Sequence, residues 1–316
     1  MPATRAPADR RIKPPRRVLV IANPVSGGGR GGRRAAALVA ALAARGVEVE
    51  QRTTTPERNG RRVAQDLRER DGDGFDALAV VGGDGSVHDV INGLGDLELP
   101  LAVLPSGTAN VWAQDVGLPR APAPAADAIL GGHVVDHPLA SCGERRFFLF
   151  AGIGLDARIV HRVEAVRARS GGRGGKLQWL VPGVREFFGE PLADLSVVVP
   201  GQPPLEHLAQ VLVTLIPNYA GPVHFPSIGP AARLLQVLCF PARSKWTWLR
   251  IMLAGTLGRL RPGRDYTQIE TAGPVQIHSA GAPEPFHLDG GHVGTTPLDV
   301  GLTGRAIRLL VPAVDA

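Results

Sequence analysis

Short apolar runs that end in glycine-rich or polar turns dominate the first third of the chain. Val18 to Ala22, the residues that lead to Gly82, and Leu101 to Leu104 each have the length and composition of a buried strand. The alanine-rich stretch from Arg34 to Arg45 has the composition of a helix. Because strands here alternate with helical stretches, the sequence predicts an α/β domain built on an open, mainly parallel sheet.

The pattern changes after Pro119–Ala128, a proline-rich segment that predicts an interdomain linker. Beyond it, apolar runs follow one another mostly without helical stretches between them, which favours a β-rich sandwich domain. The predicted strands are Phe147–Phe150, Leu195–Val199, Ala209–Ile216, Leu234–Phe240, Pro274–Ile277 and Ala306–Val311, and the predicted helices are Ile159–Val166, Lys176–Phe188 and Lys245–Leu260. We therefore expect a disordered basic tail at 1–17, the α/β domain at 18–120, the β-sandwich domain at 129–302 and a C-terminal segment at 303–316.

Two predicted strands end in turns that suit a phosphate group. One leads into Gly82-Gly83-Asp84-Gly85-Ser86, and the other leads into Asn23-Pro24-Val25-Ser26-Gly27. Glycines at a strand exit let backbone N–H groups approach an anion, and the following helix adds the positive end of its dipole. A carboxylate such as Asp84 is repelled by phosphates unless it binds a cation or handles a proton. The pattern indicates phosphoryl transfer, although either turn alone is equally compatible with a flexible surface loop.

A third strand exit strengthens this interpretation. Leu101–Leu104 leads into Pro105-Ser106-Gly107-Thr108-Ala109-Asn110, a turn with hydroxyl and amide side chains. In an open parallel sheet the carboxyl ends of the strands share one edge, so the three turns are expected to line one crevice. The turns do not form a Walker A motif, because no lysine follows their glycines, and a single match to the dinucleotide fingerprint in the run after Ser26 is weak.

Four sequence blocks share an order and spacing that extend over most of the chain. They are Asn23-Pro24-x-Ser26-Gly27, Gly82–Ser86 with Asn92-Gly93, Pro105-x-Gly107-Thr108-Ala109-Asn110, and Gly152-Ile153-Gly154-Leu155-Asp156-Ala157. Together they resemble the diacylglycerol kinase catalytic domain family of bacterial soluble lipid kinases, which is also similar to the sphingosine kinases. Phosphofructokinases and NAD kinases share a similar Gly-Gly-Asp-Gly turn, and the Asn-Pro-x-Ser-Gly block favours the lipid kinases. The resemblance implies an ATP-dependent kinase of lipid hydroxyls, with its active site in a cleft between an α/β domain and a β-sandwich domain. It also implies that the C-terminal segment 303–316 returns to the α/β domain.

The resemblance also implies roles for individual residues. Asp84 would hold Mg²⁺ against the ATP phosphates and act in catalysis, with Asp156 as a second metal ligand or, alternatively, a turn or helix cap. The residues expected to bind ATP are Asn23, Ser26, Gly27, Thr54, Gly82, Gly83, Asp84, Gly85, Ser86 and Thr108. Arg30 or Arg33 is either a phosphate clamp or a solvated charge.

The chain departs from the family pattern at three places. The family's late Asp-Gly-Glu turn supplies a base or positioning glutamate, but this chain reads Asp289-Gly290-Gly291-His292, and a glycine cannot accept a proton. Asp289 is then the expected catalytic carboxylate, with His287 or His292 as the alternative because imidazole titrates near neutrality. The family also has an acidic turn that binds a structural magnesium ion, but the matching segment 230–237 contains no acid, so this structural magnesium site is expected to be absent. The third departure is Val111, which follows Asn110 where the family typically has an aspartate.

Two functions from different classes follow from these residues. The first is a lipid kinase with an altered base, acting on a diacylglycerol-like or sphingoid-like acceptor. The second is a nucleotide-binding pseudokinase or regulator that binds ATP without turnover. We favour the kinase, because phosphoryl transfer depends mainly on positioning and phosphate electrostatics, for which the loops are retained. A soluble-sugar kinase is a weaker third possibility.

Composition and charge limit the cellular context. The 316 residues are 44% hydrophobic and carry a net charge of +6, but the tail Met1–Arg17 accounts for +5 of it, which argues against nucleic acid as a partner. No apolar segment is long enough for a membrane span or placed like a signal peptide. Cys142 and Cys239 have no metal-binding spacing and fit a reducing compartment. The sequence therefore predicts a cytoplasmic enzyme that reaches its lipid substrate by peripheral contact with a membrane.

One amphipathic segment leaves two interpretations open. Trp246 to Leu260 is apolar but interrupted by Arg250 and Arg259, and its period suits a helix with one apolar face. Packing against a sheet is the expected role. The alternative is docking at a membrane interface through Trp246 and Trp248.

Overall fold

A computed structural model of the chain describes residues 10–169, 189, 191–219, 223–225, 227–228, 233–241 and 244–313. Within these ranges the chain forms two compact units, one made of residues up to Leu139 together with those from Gly304 onward, and one made of Ala140–Thr303. The predicted combination of an α/β unit and a β-rich unit is confirmed. The predicted helix at 176–188 lies outside the described residues.

The first unit is a parallel sheet flanked by helices. Its strands are β1 (Arg10–Arg11), β2 (Arg17–Ala22), β3 (Glu48–Thr53), β4 (Ala77–Gly82), β5 (Leu101–Pro105) and β6 (His133–Cys142), and its helices are α1 (Ser26–Gly29), α2 (Gly31–Ala43), α3 (Gly60–Glu69), α4 (Asp84–Leu94), α5 (Val111–Asp115) and α6 (Pro122–Gly131). The parallel order is β3-β2-β4-β5, with β2 and β4 in the centre. The last strand of the chain, at Leu298–Val311, returns to this sheet and pairs parallel to β5 through Leu309 and Leu101.

Burial explains why the central strands read as unbroken apolar runs. Every residue of β4 is buried, and Val18 to Ala22 of β2 are buried as well, because helices cover both faces of a parallel sheet. Helix α2 contributes Leu38 and Leu42 to the same core. Helix α3, which the sequence analysis missed, begins at a capping Asn59 whose side chain accepts a hydrogen bond from Arg62 N at 3.1 Å.

Two expectations at the ends of this unit are corrected. The expected disordered tail does not extend to Arg17, because Arg10 and Arg11 pair antiparallel with Val134 and His133, and Ile12 packs against the core. The segment 119–128, expected to be a linker without regular structure, contributes most of α6. A proline at the first helical position has no hydrogen bond to lose, and Ala126 and Ile129 of this helix are buried in the first unit's core.

The second unit is built from antiparallel strands. They are β7 (Arg145–Phe147), β8 (Phe150–Gly154), β9 (Leu195–Val198), β10 (Leu205–Thr214), β11 (Asn218–Tyr219), β12 (Val223–His224), β13 (Leu235–Pro241), β14 (Thr267–Thr271), β15 (Val275–Ser279), β16 (Pro285–Leu288), β17 (Gly291–Thr295) and the first part of β18 (Leu298–Val311), and the helices are α7 (Leu155–Arg169) and α8 (Lys245–Thr256). Strand β10 pairs with β8, β9 and β13, while β16 pairs with β8 and β17. No helix within the described ranges has the length and apolar character needed to cross a membrane.

The apolar sides of these strands enclose one core. Ile153, Val211, Val237, Ile277 and Leu288 belong to it, and each comes from a different strand. The strand predicted at Phe147–Phe150 is instead the junction between β7 and β8. The pattern was misleading because the backbone N–H groups of this junction donate to a side chain rather than to a neighbouring strand.

Candidate functional site

The three glycine-containing turns of the first unit meet at the carboxyl edge of the sheet. Asn23 Nδ2 donates to Ser86 Oγ at 3.1 Å, which joins the turn after β2 to the start of α4. Ser26 Oγ lies 2.5 Å from Ser106 Oγ, which joins the same turn to the one after β5. The turn after β2 therefore contacts both others, although β4 lies between β2 and β5, because the carboxyl ends of parallel strands share one edge of the sheet.

Glycine is required where the turns meet. Gly27 has φ +60°, and a Cβ there would lie 2.0 Å from the backbone oxygen of Ser106. A Cβ on Gly107 would lie 2.6 Å from the Cα of Gly83, and a Cβ on Gly82 would lie 2.4 Å from the Cβ of Ser86. Real Cβ atoms essentially never approach other atoms to less than 3.0 Å, so the close fit of the turns excludes side chains at these positions.

Asp84 links the turn after β4 to the start of α5. Its Oδ2 accepts a hydrogen bond from Val111 N at 2.9 Å, and its Oδ1 accepts one from Trp112 N at 3.3 Å. These are N–H groups of the first turn of a helix, which lack partners inside the helix. The carboxylate that sequence analysis assigned to metal binding thus also caps α5.

Asn110, at the entry to α5, shapes the turn after β5. It has φ +48°, in the left-handed region that asparagine tolerates better than most residues. Its Oδ1 accepts from Gly107 N and its Nδ2 donates to Gly107 O, both at 2.8 Å. This pair of hydrogen bonds closes the turn and explains why an asparagine ends the block.

The remaining predicted phosphate contacts vary in their surroundings. Thr54 follows β3 and donates its N–H to Ala22 O at 2.8 Å, which places it at the same sheet edge as the turn after β2. Gly85 and Thr108 are exposed. Arg30 is exposed and donates from Nε to Gly27 O at 2.8 Å, while Arg33 is exposed. Arg30 therefore contacts the glycine turn directly.

The donor set near Asp84 does not by itself fit a bound metal ion. No group of three His, Cys, Asp or Glu side chains among the described residues is arranged to hold one. Mg²⁺ in kinases is usually held by one or two carboxylates together with phosphate oxygens and water, so most of its ligands would have to come from the nucleotide. We therefore derive no catalytic step through a metal. The predicted roles of Asp84 and Asp156 as magnesium ligands stay predictions. The segment 230–237 is expected to lack a structural magnesium site, and its residues 230–232 lie outside the described part of the chain.

In the second unit, Asp156 is the centre of a hydrogen-bond network. Its Oδ2 accepts from the Tyr219 hydroxyl and lies 3.2 Å from His287 Nε2, and its Oδ1 accepts from Ala157 N at 2.7 Å. Gly290 N donates to His287 Nδ1 at 3.3 Å, so the ring proton is assigned to Nε2, which donates to Asp156. Burial first, and then the Asp156 charge, raises the pKa of Tyr219 well above its ordinary value, so this hydroxyl stays a donor.

The glycines of the fourth block make room for this network. A Cβ on Gly152 would lie 2.3 Å from both Asp156 Oδ2 and His287 Nε2. Gly154 has φ +108°, and a Cβ there would lie 2.5 Å from the backbone oxygen of Ala209. Gly152 is thus required for the approach of His287 to Asp156, and Gly154 for the close pairing of β8 with β10.

Asp289 holds the junction between β7 and β8. Its Oδ1 accepts from Leu149 N at 2.9 Å and Phe150 N at 3.1 Å, and its Oδ2 accepts from Phe148 N at 3.2 Å. The residue is 7% exposed and has φ +51°. Both carboxylate oxygens therefore satisfy buried backbone donors, and the predicted catalytic role of Asp289 stays a prediction.

A carboxylate that sequence analysis missed lies beside the glycine that interrupts the family pattern. Glu164 Oε2 accepts from His292 N at 3.3 Å, and Glu164 Oε1 would lie 3.8 Å from a Cβ placed on Gly291. The rings of His161 and His292 are 4.3 Å apart. Burial, followed by the charge of His161, lowers the pKa of His292, so its imidazole is neutral near pH 7. No motif marks Glu164, because the fold alone brings α7 to this turn.

Comparisons with known proteins agree with the first three sequence blocks. Residues 17–142 match the family model of the diacylglycerol kinase catalytic domain. A diacylglycerol kinase of Mycobacterium tuberculosis is 31% identical over 157 residues, which are 48% of this chain and 50% of that protein. The chain thus spans about half the length of this relative. The resemblance predicted from sequence is confirmed.

Solved structures share the fold. The structure of a diacylglycerol kinase from Bacillus anthracis is similar with a TM-score of 0.70 at 20% identity, over 94% of this chain and 97% of that one. An NAD kinase from Archaeoglobus fulgidus, solved in complex with ATP, has a TM-score of 0.52 at 14% identity, with 94% of each chain covered. At these identities the likeness concerns the fold.

Proposed function

We propose that this chain, in which residues 17–142 match the diacylglycerol kinase catalytic domain, transfers the γ-phosphate of ATP to a lipid hydroxyl. The observation that carries the proposal is the meeting of three glycine-containing turns at the carboxyl edge of one parallel sheet, where Ser26 Oγ lies 2.5 Å from Ser106 Oγ. Open α/β sheets bind their ligands at this edge. The relatives are named as diacylglycerol and lipid kinases, which favours a lipid acceptor over a soluble sugar.

The turns supply what a polyphosphate needs. Backbone N–H groups of the glycine turns and the hydroxyl of Ser86, whose oxygen accepts from Asn23 Nδ2, are hydrogen-bond donors for phosphate oxygens, whereas Ser26 Oγ donates to Asn23 O at 2.9 Å. Helix α4 begins at Asp84 without a side-chain cap at Gly83, so the positive end of its dipole is available to an anion. In this proposal Asp84 keeps its two hydrogen bonds to α5 and thereby fixes the geometry of the turns on either side.

The acceptor hydroxyl needs a group that takes its proton. Glu164 has a carboxylate oxygen near the position that a side chain at Gly291 would occupy, and His292 is a neutral imidazole beside it. We assign proton acceptance to Glu164, because both oxygens of Asp289 already accept three backbone hydrogen bonds. General bases contribute about 10²- to 10⁴-fold to rate, so this assignment has a measurable consequence.

A pseudokinase is the second candidate function, and Gly291 is the observation that favours it. A chain that has lost its base would bind ATP through intact turns and transfer phosphate slowly or not at all. The carboxylate of Glu164 beside Gly291 supports the kinase instead.

Transfer of label from γ-labelled ATP into a total lipid extract tests the proposal. The natural protein is compared with Asp84→Asn and with Asp127→Asn, which removes an exposed carboxylate paired with Arg45. We expect labelled lipid with the natural protein and with Asp127→Asn, and at least a tenfold loss with Asp84→Asn, because the amide cannot accept both helix N–H groups. The chromatographic position of the labelled lipid then identifies the acceptor class.

Two other outcomes would contradict the proposal, the first its activity and the second its site. ATP binding without labelled lipid, together with labelling by Gly291→Glu, would favour the pseudokinase. Unchanged labelling by Asp84→Asn would show that the turns described here are not the transfer site.

A further inference from the structure

Helix α8 carries an exposed apolar stripe. Of the six large hydrophobic residues that are exposed among the described residues, five lie on this helix or directly after it. They are Trp246, Leu249, Met252, Leu253 and Leu257, and Trp246 is 79% exposed. Residues 246, 249, 253 and 257 recur at helical spacing, so they share one face. An apolar face of this kind on a protein surface indicates an interaction site.

The opposite face holds the helix in place. Trp248 and Ile251 are 4% and 3% exposed, and the Trp248 ring lies 5.6 Å from that of Phe240. Ser244 caps the first turn by accepting from Thr247 N at 3.1 Å. Arg250 Nη1 lies 2.6 Å from Asp265 Oδ1, which ties the helix to the chain that follows it. The exposed stripe is therefore presented by an anchored helix.

Basic residues accompany the stripe. Residues 245–265 contain one lysine and four arginines against a single acid, Asp265, for a net charge of +4. Asp265 is 1% exposed, while Arg259, Arg261 and Arg264 are exposed. Since the tail up to Arg17 carries +5 of the total of +6, the residues after it sum to +1, and those outside 245–265 sum to −3. Residues 245–265 are thus positively charged beside the apolar stripe, whereas the other residues after Arg17 sum to a net negative charge.

We propose that α8 and the arginine-rich turn after it form the surface that docks this protein on an anionic lipid bilayer. A helix of 12 residues is about 18 Å long, which is too short to cross a hydrocarbon core of about 30 Å. An apolar face with tryptophan and flanking basic residues instead lies in the interface, with its cations at anionic head groups. The inference rests on the proposed function, because it explains how a lipid kinase reaches an acceptor held in a membrane.

Structure also distinguishes the two interpretations of this segment left open by the sequence. Trp248 packs in the core, as expected for a helix that packs on a sheet, and its predicted place at the interface is wrong. Trp246 is on the outer face. Trp248 therefore packs in the protein core, whereas Trp246 is exposed on the face proposed to contact the membrane.

Flotation with lipid vesicles in the absence of ATP tests the proposal without relying on catalysis. The full chain is mixed with vesicles of phosphatidylcholine and phosphatidylglycerol at 3:1, or of phosphatidylcholine alone. Three variants are compared with the natural protein: Trp246→Ser with Leu253→Ser, Arg259→Gln with Arg261→Gln, and the control Arg45→Gln with Arg145→Gln, which removes two exposed arginines elsewhere. Thermal unfolding verifies that each variant is folded.

We expect binding to the anionic vesicles that falls about 30-fold in the arginine variant, since each basic residue near such a surface contributes about 1 kcal/mol. The apolar variant is expected to lose at least tenfold, and the control to bind within about threefold of the natural protein. Binding should also weaken as salt rises. Phosphorylation of acceptor lipid dispersed in detergent micelles should be unaffected by the apolar variant.

Several results would overturn the docking surface. The first is equal vesicle binding by the apolar variant and the control, and the second is equal binding of the natural protein to anionic and neutral vesicles. The third is a shift from dimer to monomer in the apolar variant without a change in flotation, which would make the stripe a self-association interface. Flotation by a protein that phosphorylates no lipid would leave the docking surface intact and reject the proposed function. Lipid phosphorylation without flotation would support the proposed function and reject the docking surface.

Discussion

Gly27 and Gly28 offer a matched pair of substitutions for testing the nucleotide site. Both lie in the turn after β2 and both have positive φ, at +60° and +71°. A Cβ on Gly27 would lie 2.0 Å from the backbone oxygen of Ser106, whereas a Cβ on Gly28 would have no atom within 4 Å. Gly27→Ala and Gly28→Ala therefore share the backbone strain and differ in the contact between turns.

The magnitudes follow from this geometry. An L residue in the left-handed region costs about 1–2 kcal/mol, so both variants are expected to lose that much stability. In Gly27→Ala the two turns must also separate by about 1.4 Å to reach an ordinary contact of 3.4 Å. Misplacement of catalytic geometry by about 1 Å can cost about 100-fold in rate. We therefore expect kcat/KM for ATP to fall by at least tenfold more in Gly27→Ala than in Gly28→Ala.

Two measurements separate the site from the stability of the domain. Urea unfolding gives the stability of each variant, and calorimetric titration with ATP gives nucleotide affinity without any acceptor lipid. Similar stabilities with weaker ATP binding in Gly27→Ala would support the reasoning. Equal ATP affinities and equal kcat/KM in the two variants would refute it, because the contact between Gly27 and Ser106 would then have no part in binding.

Three further predictions concern the second unit. Glu164→Gln should lower kcat by at least tenfold with little change in KM for ATP, because the amide cannot accept the proton of the acceptor hydroxyl. The control is Glu144→Gln at an exposed site, and an unchanged kcat in Glu164→Gln would show that Glu164 is not the proton acceptor. Asp289→Asn should lower the free energy of unfolding by about 1–3 kcal/mol, because an amide cannot accept all three N–H groups at the β7–β8 junction; urea unfolding at neutral pH measures this, and a loss within error would contradict it. The pKa of Tyr219 is raised in the folded chain, so its contribution to stability is complete below the unfolded value of about 10 and is lost as pH rises toward the folded value. Tyr219→Phe should therefore lose less stability than the natural protein between pH 9 and pH 11, and parallel curves in that range would reject the assignment.

The sequence predicts the first unit well because its signals are local. A parallel sheet buries both faces of β2 and β4, so these strands are unbroken apolar runs, and the glycine turns follow directly from strand exits. The errors also have local causes. Prolines made the segment of α6 resemble a linker, although proline is compatible with the first turn of a helix. Phe147–Phe150 resembled a strand because apolar composition does not reveal that its N–H groups pair with Asp289.

Contacts between distant parts of the chain account for what the sequence could not provide. The approach of Gly27 to Ser106 and that of Glu164 to Gly291 both depend on tertiary packing, which no spacing rule encodes. The second case bears directly on function. In the sequence, Gly291 stands where the family has a glutamate, so a carboxylate is missing. In the folded unit, the carboxylate of Glu164 on α7 lies beside the same turn. Because proton transfer depends on where a carboxylate lies and not on which residue carries it, the missing glutamate is not sufficient grounds for classing the chain as a pseudokinase.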